Sequence, residues 1–293
     1  MAIFLRIKLL RLVIVLVSVA LIQCLPLSAG ANESIQLAFG LYASDKPTTL
    51  VQKFRPILNK LEKDLSGELH KEVKIKLSIS KTYEEGIEQL ISGKVDFARF
   101  GPASYVMARN RNPDIHLLAM ETRDGSKLFQ GVIITHRDST IHKLSDLKQK
   151  RFAFGSREST IGRYLSQQYL LEHGIKAKDL AHYDYLGRHD SVGYAVALKK
   201  FDAGALKEST VKKLLKKGQP LRVIARFNNV TKPWVARNGL DKQITQALKQ
   251  ALYKFDDKQL LANIKKDGFV PATHQDYLII EKAIQGNSAF FAK

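Results

Sequence analysis

Cysteine is almost missing from this chain of 293 residues. The single one, Cys24, lies in a basic and then apolar opening segment, so the rest can contain neither a disulfide nor a thiolate metal site. Acidic residues are scarce as well, with 28 Asp and Glu against 47 Lys and Arg. The chain also lacks most motifs that announce catalysis. There is no H-E-x-x-H, no G-x-S-x-G elbow, no Walker loop and no G-x-G-x-x-G turn. The histidines are scattered without metal spacing, and His182 and His189 stand too far apart to share a helix face. No internal repeat or low-complexity tract occurs. The longest apolar run, Leu12 to Leu25, falls short of the ~20 residues that span a bilayer.

What the opening segment does contain is the pattern of an export signal. Arg6, Lys8 and Arg11 precede the apolar run, and Ala29-Gly30-Ala31 forms an A-x-A cleavage pattern. Residues 1–31 are therefore expected to be a signal peptide cut after Ala31, with Asn32 as the new N-terminus. A retained membrane anchor is the lesser reading. Cys24 does not suit a lipoprotein signal, because Gln23 precedes it where a small residue is wanted. An exported protein follows, most simply periplasmic.

The remaining 262 residues suffice for two domains and carry 44 Lys and Arg against 28 Asp and Glu, a net charge of +16. Such a surplus suits nucleic acid, an anionic membrane face or an anionic ligand. Export makes nucleic acid an unsuitable partner. Pairs such as Lys199-Lys200, Lys212-Lys213 and Lys216-Lys217 read mostly as solvated helix faces.

From Ser34 onward strand and helix patterns alternate. Ile35 to Phe39 reads as a strand. Pro47 then opens a helix with Leu50, Phe54, Ile57, Leu58, Leu61 and Leu65 on one face, expected to stop at Gly67. Val73 to Ile79 alternates as a strand, and Thr82-Tyr83-Glu84-Glu85 is a capping box before a helix closed by Gly93. Val95 to Ala98 is a third strand, and Gly101-Pro102-Ala103-Ser104 opens a third helix. Such a βαβαβα run implies a parallel sheet. A second unit runs through strands at Gln130 to Thr135, Phe152 to Phe154, Tyr183 to Leu186 and Phe201 to Ala205, with helices after Ile161 and after Ser191. Leu221 to Ala225 is the strand that carries the chain back. The last 55 residues or so are mostly helical, clearest at Leu240 to Phe255 and Asp276 to Ile284.

Five turns place Ser, Thr, Tyr or His beside an expected helix start: Tyr42 to Thr49, Thr82-Tyr83, Phe100 to Ser104, Ser156 to Thr160, and His189 to Ser191. Each alone reads as an ordinary cap. In open α/β sheets, however, ligands bind beyond the carboxyl ends of strands, where helix N-termini favour anions. Five such turns in a basic exported chain favour an oxyanion held by N–H groups, hydroxyls and one histidine. Ser159, His189 and Asp190 supply the residue types of a nucleophilic triad. Adjacent His and Asp rarely orient one another in that way, and Asp190 reads better as a helix cap. No catalytic residue, metal or cofactor is therefore expected.

At this point the residues support a resemblance. The chain resembles, along nearly all of its mature length, the periplasmic phosphate/phosphite/phosphonate-binding proteins of ABC transporters. The likeness rests on Val95-Asp96-Phe97-Ala98-Arg99-Phe100-Gly101-Pro102-Ala103-Ser104-Tyr105, on Gln130-Gly131-Val132-Ile133, and on Phe152-Ala153-Phe154-Gly155 leading to Ser159-Thr160-Ile161-Gly162. It continues through His189-Asp190-Ser191-Val192, Asp202-Ala203-Gly204-Ala205 and Pro233-Trp234-Val235-Ala236-Arg237. The implied fold is a type II periplasmic binding protein, with two α/β lobes joined by two crossover strands near 125–130 and 222–230. Residues 32–127 plus 228–293 would form lobe 1, and 128–227 lobe 2.

Carried across, the resemblance makes Ser159 and Thr160 the hydroxyls that hold the anion, together with nearby N–H groups including that of Gly162. It makes His189 a further donor and Tyr83 a cleft tyrosine, with Tyr42 beside them. Phe100 stands where phosphonate binders have a second tyrosine, leaving Arg99, Ser104 or Tyr105 as substitutes for that hydroxyl. Ile161 replaces a serine of the family's S-T-S-G core. Ser209 and Lys232 stand where aminophosphonate binders have carboxylates, which disfavours a ligand amine. The expected function is capture of a small phosphorus oxyanion by lobe closure, as a monomer that delivers it to an inner-membrane permease. The alternatives are partnership with a membrane histidine kinase, or the same fold turned to an unrelated small anion.

Overall fold

A computed structural model of the chain describes residues 34–42 and 47–292. The expected signal peptide with Cys24 and the cleavage site lies outside these residues, as do Ser44 and Asp45 of the first turn. Two sheets organise the fold. The first begins β1 (Ile35–Tyr42), α1 (Pro47–Leu69), β2 (Val73–Ser80), α2 (Tyr83–Ile91), β3 (Phe97–Arg99), α3 (Pro102–Arg111), and continues with β4 (His116–Thr122). The chain then enters the second sheet through β5 (Leu128–His136) and β6 (Arg151–Phe154), followed by α4 (Leu165–Glu172) and β7 (His182–Tyr185). Next come α5 (His189–Ala197), β8 (Ala203–Lys207), α6 (Glu208–Lys216) and β9 (Leu221–Val230). It returns to the first sheet with β10 (Pro233–Ala236), α7 (Lys242–Tyr253), α8 (Lys258–Asn263) and β11 (Gly268–Val270), and ends in α9 (Leu278–Gln285) and α10 (Asn287–Phe291).

The first sheet has the order β11-β4-β10-β3-β1-β2, and the second β7-β6-β8-β5-β9. β1 pairs in parallel with β2 and β3, as the alternating pattern implies. The other half of that sheet is antiparallel, because β10 enters from the second sheet between β3 and β4. Passage between the sheets uses β5 and β9, which pair antiparallel from Leu128↔Val230 to His136↔Leu221. Their links to the first sheet are short, and Thr231 N–H donates to Lys127 O at 2.8 Å where they run side by side.

The six apolar residues expected on one face of α1 are all buried. They pack beneath the first sheet with Phe39, Phe97 and Trp234, and the rings of Phe39 and Trp234 stack at 4.7 Å. Burial of each such side chain contributes about 1.5–3 kcal/mol. Gly67 does not stop this helix. It lies within the last turn, and the chain leaves at His70, which takes a φ of 51°. A separate cluster fills the outer face of the second sheet, while a third spans both sheets and the C-terminal helices. There Asn287 of α10 donates to Gln167 of α4 at 2.7 Å and accepts from Arg163 at 2.8 Å. The end of the chain thus returns to the second sheet's helices.

One buried ion cluster ties three strands of the first sheet to the segment just before β11. Glu121 on β4 is fully buried and chelated by the Arg99 guanidinium at the end of β3. It also accepts from Lys266 Nζ at 3.2 Å and from Trp234 Nε1 at 3.2 Å. Burial alone would push its carboxyl up. The Arg99 charge and then that of Lys266 outweigh this and hold it at about 2.

Two experiments follow from these contacts. Glu121→Gln leaves Arg99 and Lys266 buried without their counter-charge, so denaturant unfolding should show a loss of roughly 3–5 kcal/mol. In the wild type the Glu121 contribution is complete above about pH 4.5, the unfolded value, and disappears as pH falls through about 2. An equal unfolding midpoint for variant and wild type at neutral pH would contradict this. The second concerns Gly155 and Gly162, where Gly155 N–H donates to Gly162 O at 2.8 Å. A Cβ on Gly162 would lie 2.7 Å from the Gly155 Cα, so Gly162→Ala should cost about 1–3 kcal/mol. Gly174→Ala, at a helix end with open space around it but a φ of +72°, should cost less.

Candidate functional site

The expected turns converge. Tyr42 ends β1, Tyr83 opens α2, Gly101-Pro102 opens α3, Ser159-Thr160 precedes α4, and His189 opens α5. All of these reach one chamber of about 30 Å³, closed further by Phe129, Ile161, Lys207, Asn229 and Lys232. A single water needs ~10–15 Å³ by this measure, so the space suits a small polyatomic group.

Local chemistry sets each hydroxyl in place. Ser159 caps the turn that follows it, accepting from Gly162 N–H at 3.0 Å. That turn is of π type, since Tyr164 and Leu165 N–H reach back five residues to Ser159 O and Thr160 O. Such a turn widens the helix start and is frequent at functional sites. Thr160 Oγ1 accepts from Ala103 N–H of α3 at 2.9 Å, a bond between elements of different sheets. Tyr83 makes a second such link, its hydroxyl bonded to that of Ser159. The Tyr42 ring stacks on Tyr83 at 4.1 Å, and its oxygen accepts from Gly101 N–H and from Ser104 Oγ. Thr160 and Tyr42 therefore use acceptor lone pairs, which leaves each O–H able to donate to an anion.

Two polar atoms at the chamber, His189 Nδ1 and Asn229 Oδ1, are buried with no partner among the described residues. Each such atom costs about 1–3 kcal/mol until something polar meets it. Burial, then the nearby Lys207 and Lys232 charges, push the His189 imidazole well below its ordinary pKa, so it is neutral and can present an N–H. Burial, then Arg99 and Lys207, likewise push the Lys232 ammonium well down. An anion placed here would reverse both effects. No carboxylate lines this chamber.

Three expected site residues stand behind the lining. Phe100 is buried, 6.1 Å from the Tyr42 ring, with its N–H given to Pro233 O. Ser104 touches the chamber only through the Tyr42 hydroxyl. Gly162 backs onto Gly155 and supplies its N–H to Ser159. Of the expected substitutes for the hydroxyl that Phe100 lacks, Arg99 is committed to Glu121, and the Tyr105 hydroxyl lies 3.3 Å from His274 Nδ1. Asp190 is not a cap. It sits inside the first turn of α5 and pairs with Arg188, the N-cap residue. Phe129 and Asn229, which sequence reasoning missed, face one another across β5 and β9. Asparagine inside a strand, a poor strand former, was the one available signal.

A second chamber of about 410 Å³ adjoins the first, sharing Phe129, His189, Lys207 and Lys232. Nine of its lining residues are Lys or Arg, and Asp190 is its one acid. Lys213 and Lys217 are among them, so part of the solvent-exposed lysine run in and after α6 also borders this cleft. Ser209 lines this chamber too, while Glu208 turns away to Lys212 and Arg226. Among the described residues, no helix is long and apolar enough to cross a membrane, and no His/Cys/Asp/Glu group could hold a metal.

Comparison with known proteins places this geometry. The family model described as "ABC transporter, phosphonate, periplasmic substrate-binding protein" matches residues 39–277. The chain is 30% identical over 247 residues to the probable ABC transporter phosphite binding protein PhnD1 of Prochlorococcus marinus, spanning 76% of this chain and 82% of the relative. It is 26% identical over 279 residues to the phosphate-import protein PhnD of Mycolicibacterium smegmatis, covering 85% and 84% of the two. Its fold matches the structure of the Prochlorococcus PhnD1 in complex with methylphosphonate, with a TM-score of 0.73 and 27% identity over 87% of this chain and 98% of that one. The architecture is that of a type II periplasmic binding protein. With its hydroxyl-lined chamber at the meeting of two α/β sheets, the chain belongs to the phosphonate periplasmic substrate-binding proteins of ABC transporters, a family of binding components and not of enzymes.

Proposed function

We propose that this protein captures a small phosphorus oxyanion (phosphite, phosphate or a simple alkylphosphonate) in the 30 Å³ chamber and delivers it to an inner-membrane permease. The carrying observation is a chamber edged by hydroxyls, a neutral histidine and two lysines, with no carboxylate. Buried anions need donors on every side, and this donor set meets that need. The printed names of the relatives, phosphite-binding and phosphate-import, support the same ligand class.

In this reading Thr160, Tyr42 and one member of the bonded Tyr83–Ser159 hydroxyl pair donate protons, His189 donates a ring N–H, and Lys207 and Lys232 supply charge. The lobes are residues 32–127 plus 228–293 and residues 128–227, hinged where β5 and β9 leave the second sheet. The Thr160–Ala103 and Tyr83–Ser159 bonds join the lobes only when they are closed. The anion beside them then favours closure, and the closed monomer docks on the permease. Residues 1–31 direct export and are removed.

Calorimetric titration with phosphite, phosphate and methylphosphonate tests the reading. At least one should bind, and Ser159→Ala with Thr160→Val should weaken it by about 2–4 kcal/mol. Thr160→Val alone keeps the Ser159 cap, so its loss of affinity cannot be put down to a frayed turn. Unchanged affinity in both variants would remove Ser159 and Thr160 from the site.

A further inference from the structure

We propose that the larger chamber is a second anion subsite, so that the preferred ligand is an organophosphonate carrying an additional negative group, such as a carboxylate, on a short chain. The proposal rests on the reading of the smaller chamber as the phosphonyl site.

Three observations carry it. The two chambers share four lining residues, so a tail leaving the small chamber enters the large one directly. The large chamber is far more cationic than the small one needs, and its cations come from both sides: Lys53 on α1, Arg123 and Lys265 from the first sheet's part, and Lys213 and Lys217 from the second's. Among the described residues, no carboxylate lies within ion-pairing distance of Lys213, Lys217 or Lys265. The one acid in the lining, Asp190, is already engaged by Arg188.

The chamber therefore presents an excess of positive charge, where a second anionic group is favoured. The Lys265 ammonium registers that field. Burial first, and then Lys213, Arg123, Lys53 and Lys216, push it below its ordinary value. A ligand amine would add to the repulsion, whereas a carboxylate would relieve it. The volume, more than ten times that of the small chamber, also exceeds what a bare oxyanion can occupy.

The test is a calorimetric series on the purified protein at low ionic strength with methylphosphonate, aminoethylphosphonate, phosphonoacetate and phosphonopropionate. At least one carboxylated phosphonate should bind about tenfold tighter than methylphosphonate, and aminoethylphosphonate more weakly than either. Lys213→Gln with Lys265→Gln should erase that gain and leave methylphosphonate affinity unchanged. Both lysines are at the surface, so the variant keeps the folded core. Equal affinity for methylphosphonate and both carboxylated ligands would overturn the subsite while leaving the oxyanion reading intact. A gain that survives the double substitution would also overturn it. Failure of all four phosphonates to bind would overturn the subsite, and failure of phosphite and phosphate as well would remove the oxyanion reading with it.

Discussion

The buried carboxylate of Glu121 is the constraint on which the site depends. One negative charge, shut from water, holds Arg99 and Lys266 by direct contact, and its backbone N–H reaches Lys232 O at 3.1 Å. Charges at such depth are tolerable only when paired and hydrogen-bonded. Glu121 thus makes it feasible for three cations to approach one another beside the cleft. It does not neutralise all of them, and the remainder is the positive field that both chambers present. The same contact fixes geometry. Arg99 is the last residue of β3, and its clamp to β4 sets where Phe100, Gly101 and the N-terminus of α3 emerge. A structural ion cluster and the anion preference of the cleft are therefore one arrangement seen from two sides.

The hydroxyls obey a second constraint, that of donor and acceptor count. A buried serine or threonine oxygen without a partner would weaken the fold, while one with its proton already given away could not hold an anion. Ser159 and Thr160 avoid both by accepting from backbone N–H groups, at 3.0 and 2.9 Å. The Gly155–Gly162 approach makes this workable, because it brings the end of β6 against the turn and fixes the direction of Ser159. That approach has no room for a Cβ, which explains the two glycines without any appeal to ligand contact.

Much of this was legible in the sequence because it is local. The apolar face of α1, the Thr82 cap bonded to Glu85 N–H at 3.0 Å, and the Ser159-Thr160 turn are each encoded within a few residues. The order and spacing of several such segments carried the family. What escaped was set by long-range pairing. β10 and β11 are only a few residues long, and β4 runs between them without a turn motif to announce it. Their strand character comes from neighbours distant in sequence. Phe129 and Asn229 reach the chamber on β5 and β9, whose crossover the family resemblance placed, and Lys207 from the end of β8, but nothing near the three in sequence says that their side chains line it. Asp190 misled for a related reason. Its position suits a cap, but Arg188 two residues earlier takes that place and holds the carboxylate. Lysines after Val211 look alike on a helix wheel, and only tertiary packing separates those over a cavity from those in solvent.

The charge distribution also bears on how the halves would move. Cations on α1 and near Lys265 face cations on and after α6 across the larger chamber, so approach of the halves brings like charges together. Against that stand the Tyr83–Ser159 and Thr160–Ala103 bonds and the apolar contacts around Tyr42 and Phe129. The two sets oppose one another, and in the reading proposed above they would set the balance between open and closed forms. A ligand shifts such a balance only by its differential affinity for the two forms. An anion touching both sides would relieve the repulsion most when the halves are together, so the difference from its attraction in the open form would count toward closure. Basic residues that look merely solubilising in the sequence would then set the coupling between binding and shape, with Glu121 limiting how strong the repulsion becomes.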